Sequence, residues 1–96
     1  MQTVARVMGE RVASKIADHY GFESQKKKTV EELIELADTL IHYDDRCSRN
    51  DVIEEMADVQ IMLWKMEKLM SCSVDMELMI VRKVNRQVRR IVEEDQ

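Results

Sequence analysis

Ser48-Arg49-Asn50-Asp51-Val52-Ile53-Glu54-Glu55-Met56-Ala57-Asp58-Val59-Gln60-Ile61-Met62-Leu63-Trp64-Lys65-Met66-Glu67-Lys68-Leu69-Met70 is the longest uninterrupted periodic stretch of the chain. Val52, Met56, Val59, Leu63, Met66 and Met70 alternate spacings of four and three, the seam expected of a helix packed lengthwise on another helix. Ser48 with Asp51 three residues on reads as a capping box, which fixes where this helix starts. Ser71-Cys72-Ser73 closes it, and Ser73 is expected to cap a further helix over about 74–93. There Val74, Leu78, Val81, Val84, Val88 and Ile91 or Val92 would face a core. Upstream, Val4, Val7, Met8, Val12, Ala13 and Ile16 make an apolar stripe on a helix over about 2–18, ended at His19-Tyr20-Gly21-Phe22 by Gly21. A helix from about Gln25 or Thr29 to Tyr43 follows, with Val30, Leu33, Ile34, Ala37, Leu40 and Ile41 as its core face.

Composition agrees with this reading. There is no proline and only two glycines in 96 residues, so nothing breaks the helices except where a turn is wanted. The connections are short, which favours antiparallel neighbours and predicts an all-α four-helix bundle in one domain, 1–96. A core this small is often supplemented by oligomerisation. The net charge of −4 argues against nucleic acid as a partner, although residues 82–90 are locally basic. No apolar run approaches a membrane span, and Cys47 and Cys72 lack metal-ligand spacing and read as reduced thiols. The expectation is a cytoplasmic protein.

Two acidic segments carry the chemistry. In Glu31-Glu32-Leu33-Ile34-Glu35, Glu32 and Glu35 project from one face of the second helix, and Glu55 and Asp58 do the same on the third. Glu32 has a plain alternative as the N3 residue of a capping box begun by Thr29. Glu55 and Asp58 do not, because they adjoin the apolar seam and no Lys or Arg occurs between Asn50 and Gln60 to neutralise them. Four carboxylates brought together by antiparallel packing make a hard-cation site of the kind Mg²⁺ prefers. On the last helix Lys83, Arg86 and Arg90 form one stripe, either a phosphate clamp or a solvated face. Lys26-Lys27-Lys28 reads first as a solvated run, its place just before the acidic segment leaving a phosphate role open, and His19 and His42 read as structural.

Glu31-Glu32-x-x-Glu35, the interval 36–54 and Glu55-x-x-Asp58, with Tyr20-Gly21-x-x-x-Gln25 before and Ala57-Asp58-Val59 within, resemble the signature of MazG-like all-α nucleoside triphosphate pyrophosphohydrolases, in particular the small phage-type and bacterial members. The resemblance covers about residues 19–90. It implies a homodimeric or homotetrameric bundle that hydrolyses a nucleoside triphosphate to monophosphate and pyrophosphate with Mg²⁺, as nucleotide-pool housecleaning. Carried onto this chain, it makes Glu32, Glu35, Glu55 and Asp58 metal ligands, and Glu31 and Glu35 the catalytic carboxylates, with Glu31 orienting water or helping a second ion. It puts Gln25, with Tyr20 and Phe22, where the base binds, and favours Lys83 and Arg86 as the phosphate clamp. A phosphoribosyl-ATP pyrophosphohydrolase-like enzyme is a related reading. A non-enzymatic helical assembly module is the alternative from another class. A di-iron carboxylate bundle is disfavoured, since no Glu has His three residues later.

Overall fold

A computed structural model of the chain describes residues 3–96, and all four elements are helices: α1 (Val4–Tyr20), α2 (Phe22–Ile41), α3 (Arg49–Leu69) and α4 (Ser73–Glu94). The expected start of the first helix at residue 2 lies outside the described residues. Thr3 caps α1, its side chain accepting from the Arg6 N–H at 3.2 Å. Gly21 ends α1 and begins α2 at φ 84°, a conformation that would strain any side chain, and its N–H donates to the Ala17 carbonyl at 2.9 Å. This single-residue joint starts α2 earlier than its apolar pattern suggested. Thr29 therefore lies inside the helix, where its hydroxyl donates to the Gln25 carbonyl at 2.7 Å. The capping-box explanation of Glu32 falls with it.

At the start of α3 the predicted box is present in both directions. The Ser48 N–H donates to Asp51 Oδ2 at 2.8 Å and the Asp51 N–H to Ser48 Oγ at 3.2 Å. Asp44 turns the chain between α2 and α3 with φ 71°, which aspartate tolerates better than most residues. Cys72, not Ser73, occupies the N-cap of α4 and makes no side-chain cap.

The faces that pack differ from those the apolar pattern marks. On α1 the buried residues are Ala13 and Ala17, and one turn earlier a Cβ on Gly9 would lie 3.3 Å from the Trp64 ring. Small residues at 9, 13 and 17 thus let α1 lie close against α3, while Val4, Met8 and Val12 remain exposed. On α3 the buried stripe is Val52, Val59 and Met62 with half-buried Glu55 between them, and Met56 and Met70 face out. On α2 the correction is larger. Gln25, Thr29 and Glu32 are buried, whereas Val30, Leu33, Ile34, Leu40 and Ile41 are exposed, about a third of a turn round the axis.

Helix α4 buries none of its residues, so its expected core face (Val74, Leu78, Val81, Val84, Val88, Ile91, Val92) is open to solvent. It approaches α3 and makes no comparable approach to α2 or α1. Accordingly the chain has a radius of gyration of 16.1 Å, where a compact unit of this length has about 12.5 Å.

Candidate metal centre and adjoining cavity

Helices α2 and α3 run antiparallel, so Glu32 and Glu35 near the middle of α2 meet Glu55 near the start of α3. One carboxylate oxygen from each of the three lies within 4.8 Å of the others. Glu32 is buried, Glu55 half-buried and Glu35 exposed, so the cluster opens on one side. Oε2 of Glu32 and Oε2 of Glu55 are both out of contact with solvent and accept no hydrogen bond. Burial raises the Glu55 carboxyl above its usual range, and the negative charges of Glu35, Asp58 and Glu32 push the same way. Converging carboxylates, two of which each bury an oxygen without a hydrogen-bond donor, are the donor set a hard divalent cation fits.

Asp58, the fourth expected ligand, is exposed and stands outside this trio, although its charge reaches Glu55. Glu31 is also exposed. It lies 3.8 Å from Lys28 Nζ, which in turn sits 3.2 Å from Glu32 Oε1. Lys28 is thus the cation already serving the cluster. Its hydrogen bond and charge contact with Glu32 hold its own ammonium above the ordinary lysine value. The sequence reading, a solvated run with a phosphate role left open, did not include this pairing of Lys28 with Glu32. The i, i+4 spacing of Lys28 and Glu32 was the available signal.

Further along the same α2–α3 groove is a cavity of about 390 Å³. Tyr20, Gln25 and Lys28 line it from one side and Met62 and Lys65 from the other, with Glu31 at its edge toward the carboxylates. Gln25 is only 5% exposed, and its side-chain Oε1 is buried without a partner. A ligand entering here meets a polar amide, an aromatic wall and lysine ammonium groups. Gln25 and Tyr20 thus line the same cavity. Phe22 is not among the cavity's lining residues.

Lys83 and Arg86 are placed elsewhere. Both are fully on the surface of α4, which does not approach α2, and neither pairs with Glu32, Glu35 or Glu55. The phosphate clamp expected from them is not assembled within one chain. His42 does have orienting partners, Asp38 and Asp45 each 3.6 Å away, at the turn after α2.

No protein-family model, curated protein or solved structure matches the chain. Among the described residues no helix is long and apolar enough to cross a membrane.

Proposed function

We propose that this protein is a Mg²⁺-dependent nucleoside triphosphate pyrophosphohydrolase that acts as a homo-oligomer. The observation carrying the reading is the convergence of Glu32, Glu35 and Glu55 within 4.8 Å, beside a cavity lined by lysines and a buried glutamine. A structural helix face has no reason to bury unpartnered oxygens on two converging carboxylates. Glu32, Glu35 and Glu55 would hold the ion, with Asp58 the nearest further carboxylate on α3. When bound, Mg²⁺ neutralises charge on phosphate oxygens and makes a coordinated water a better nucleophile.

The chain's own residues do the rest. Glu31, exposed at the edge of the cavity and 3.8 Å from Lys28, would accept the proton of an incoming water. Lys28, paired with Glu32 in the metal-free chain, would yield that carboxylate to an ion and offer its ammonium to the substrate's phosphates. Gln25 offers its unpartnered amide oxygen to a polar edge of the substrate. Housecleaning of the nucleotide pool is the corresponding role, carried by the motif resemblance.

Screening the purified protein with Mg²⁺ against nucleoside and deoxynucleoside triphosphates, with detection of pyrophosphate, tests the activity. Glu35→Gln and Asp58→Asn should each remove most turnover while leaving helical content intact, since the amide keeps shape and loses charge. Wild-type turnover in both variants defeats the assignment. The assembly-module reading is favoured by a different observation, the uncovered apolar faces of α2 and α4. It takes over if Mg²⁺ changes neither activity nor melting.

A further inference from the structure

We propose that Lys65, a residue outside both acidic motifs, is a polyphosphate-binding group that works across the groove from Lys28; the proposal rests on the hydrolase reading above and names a binding residue of that site. Lys65 lies about one turn beyond Met62 on α3 and lines the cavity with it, ten residues beyond Glu55 and so about 15 Å along the helix. It is half-buried, and among the described residues its ammonium is partnered by the Met62 thioether, with Nζ 3.8 Å from Sδ. A thioether is a weak acceptor and leaves the positive charge unanswered. Lys27 and Lys28 enter the same 390 Å³ cavity from α2, against the single carboxylate of Glu31. The lining therefore carries an excess of positive charge in a protein whose net charge is −4.

Gln25 supplies the independent sign that a ligand belongs here, because its side-chain oxygen is buried in that wall with nothing bound to it. The position of the cavity selects the ligand. It adjoins the carboxylate trio through Glu31 and through Lys28, which touches Glu31 and Glu32 at once. A chain of phosphates suits a groove with a hard-cation site at one end and ammonium groups further on, because it serves both with the same type of oxygen. A carboxylate or a single phosphate could satisfy one end and not both.

The test uses inorganic tripolyphosphate as probe, with affinity measured by calorimetry on the full chain. Lys65→Met, which keeps the length of the side chain and drops the charge, should weaken tripolyphosphate binding about tenfold. Lys65→Arg should recover most of it, and Lys15→Met, an exposed lysine of α1, should change nothing. The rise in melting temperature caused by Mg²⁺ alone should be the same in Lys65→Met as in wild type, which also shows that the variant is folded. Equal tripolyphosphate affinity in wild type and Lys65→Met, or no binding by wild type, overturns the proposal. A Lys65-dependent affinity in a protein that Mg²⁺ does not stabilise would instead uphold Lys65 and remove the metal reading. The two failures are therefore distinguishable.

Discussion

Glu55 is the residue at which stability and chemistry meet. It takes a position that a helix packed for stability alone would give to an apolar side chain, between Val52 and Val59. Its carboxyl is raised above the ordinary value of 4.5 by burial first and by Glu35, Asp58 and Glu32 next. The folded metal-free protein thus holds this proton more tightly than the unfolded chain does. The resulting stabilisation is full below the ordinary value and is lost as pH rises through the raised one. Lowering pH from 7 toward 5 should therefore stabilise the metal-free protein, and Glu55→Gln should show a flatter dependence in denaturant midpoints. Some slope should remain, because Glu67 is also raised, by burial and by the charges of Glu10 and Glu77. Identical slopes in the two proteins would remove Glu55 from the account. Millimolar Mg²⁺ should raise the melting temperature of wild type by a few degrees, on the order of 1 kcal/mol, and that of Glu35→Gln by much less.

Each helix is held by a different device, and two of these can be tested separately. The reciprocal Ser48–Asp51 box starts α3 and holds the Asp51 carboxyl below its usual range through hydrogen bonds from the Ser48 backbone and side chain. Ser48→Ala should cost about 1 kcal/mol. The Asp51 contribution is present above the ordinary aspartate value and lost as pH falls through the lowered one, so the gap between Ser48→Ala and wild type should narrow in strong acid. Helix α1 depends instead on close approach, with Ala17 wholly buried and Gly9 against Trp64. Ala17→Leu has no space to enter and should destabilise by about 1–3 kcal/mol, read as a fall in melting temperature. Val12→Leu on the exposed side of the same helix should change stability by less than about 0.5 kcal/mol unless a second copy covers it. A larger loss that depends on protein concentration would place Val12 in an interface.

The whole molecule has more surface than a lone chain of its size should. It exposes 7817 Å², where a compact monomer of 11.3 kDa exposes about 5,700 Å². The excess, about 2,000 Å² per chain, is of the size that permanent dimers bury. It coincides with apolar faces that a helix of this pattern normally covers: Val74, Leu78, Val81 and Val88 on α4, and Leu33, Ile34 and Ile41 on α2. Light scattering at micromolar concentration should give a multiple of the monomer mass, and Leu78→Asp with Val81→Asp should reduce it and lower the melting temperature. A monomeric wild type would sink the proposal. Association would also decide whether Lys83 and Arg86 of one copy come near the carboxylates of another, which they do not do within one chain.

Helix number and type, the end of the first helix at Gly21, the box at Ser48 and the candidate ligands Glu32, Glu35 and Glu55 were all legible in the sequence. Each rests on interactions between residues no more than a few positions apart, or on a spacing that a helix converts directly into a shared face. Which face turns inward was not legible. Apolar periodicity shows where a helix seeks cover and is silent on who provides it, so Val30, Leu33 and Ile34 pointed to a core that Gln25, Thr29 and Glu32 occupy. The buried stripe of α1 likewise follows small size, not hydrophobicity, because Gly9, Ala13 and Ala17 are where the backbone can come closest to α3. The pairing of Lys28 and Lys65 around one cavity, with Gln25 in its wall, needed α2 and α3 to be set antiparallel in a particular register. That register is a property of the packed pair of helices, and neither helix holds it alone.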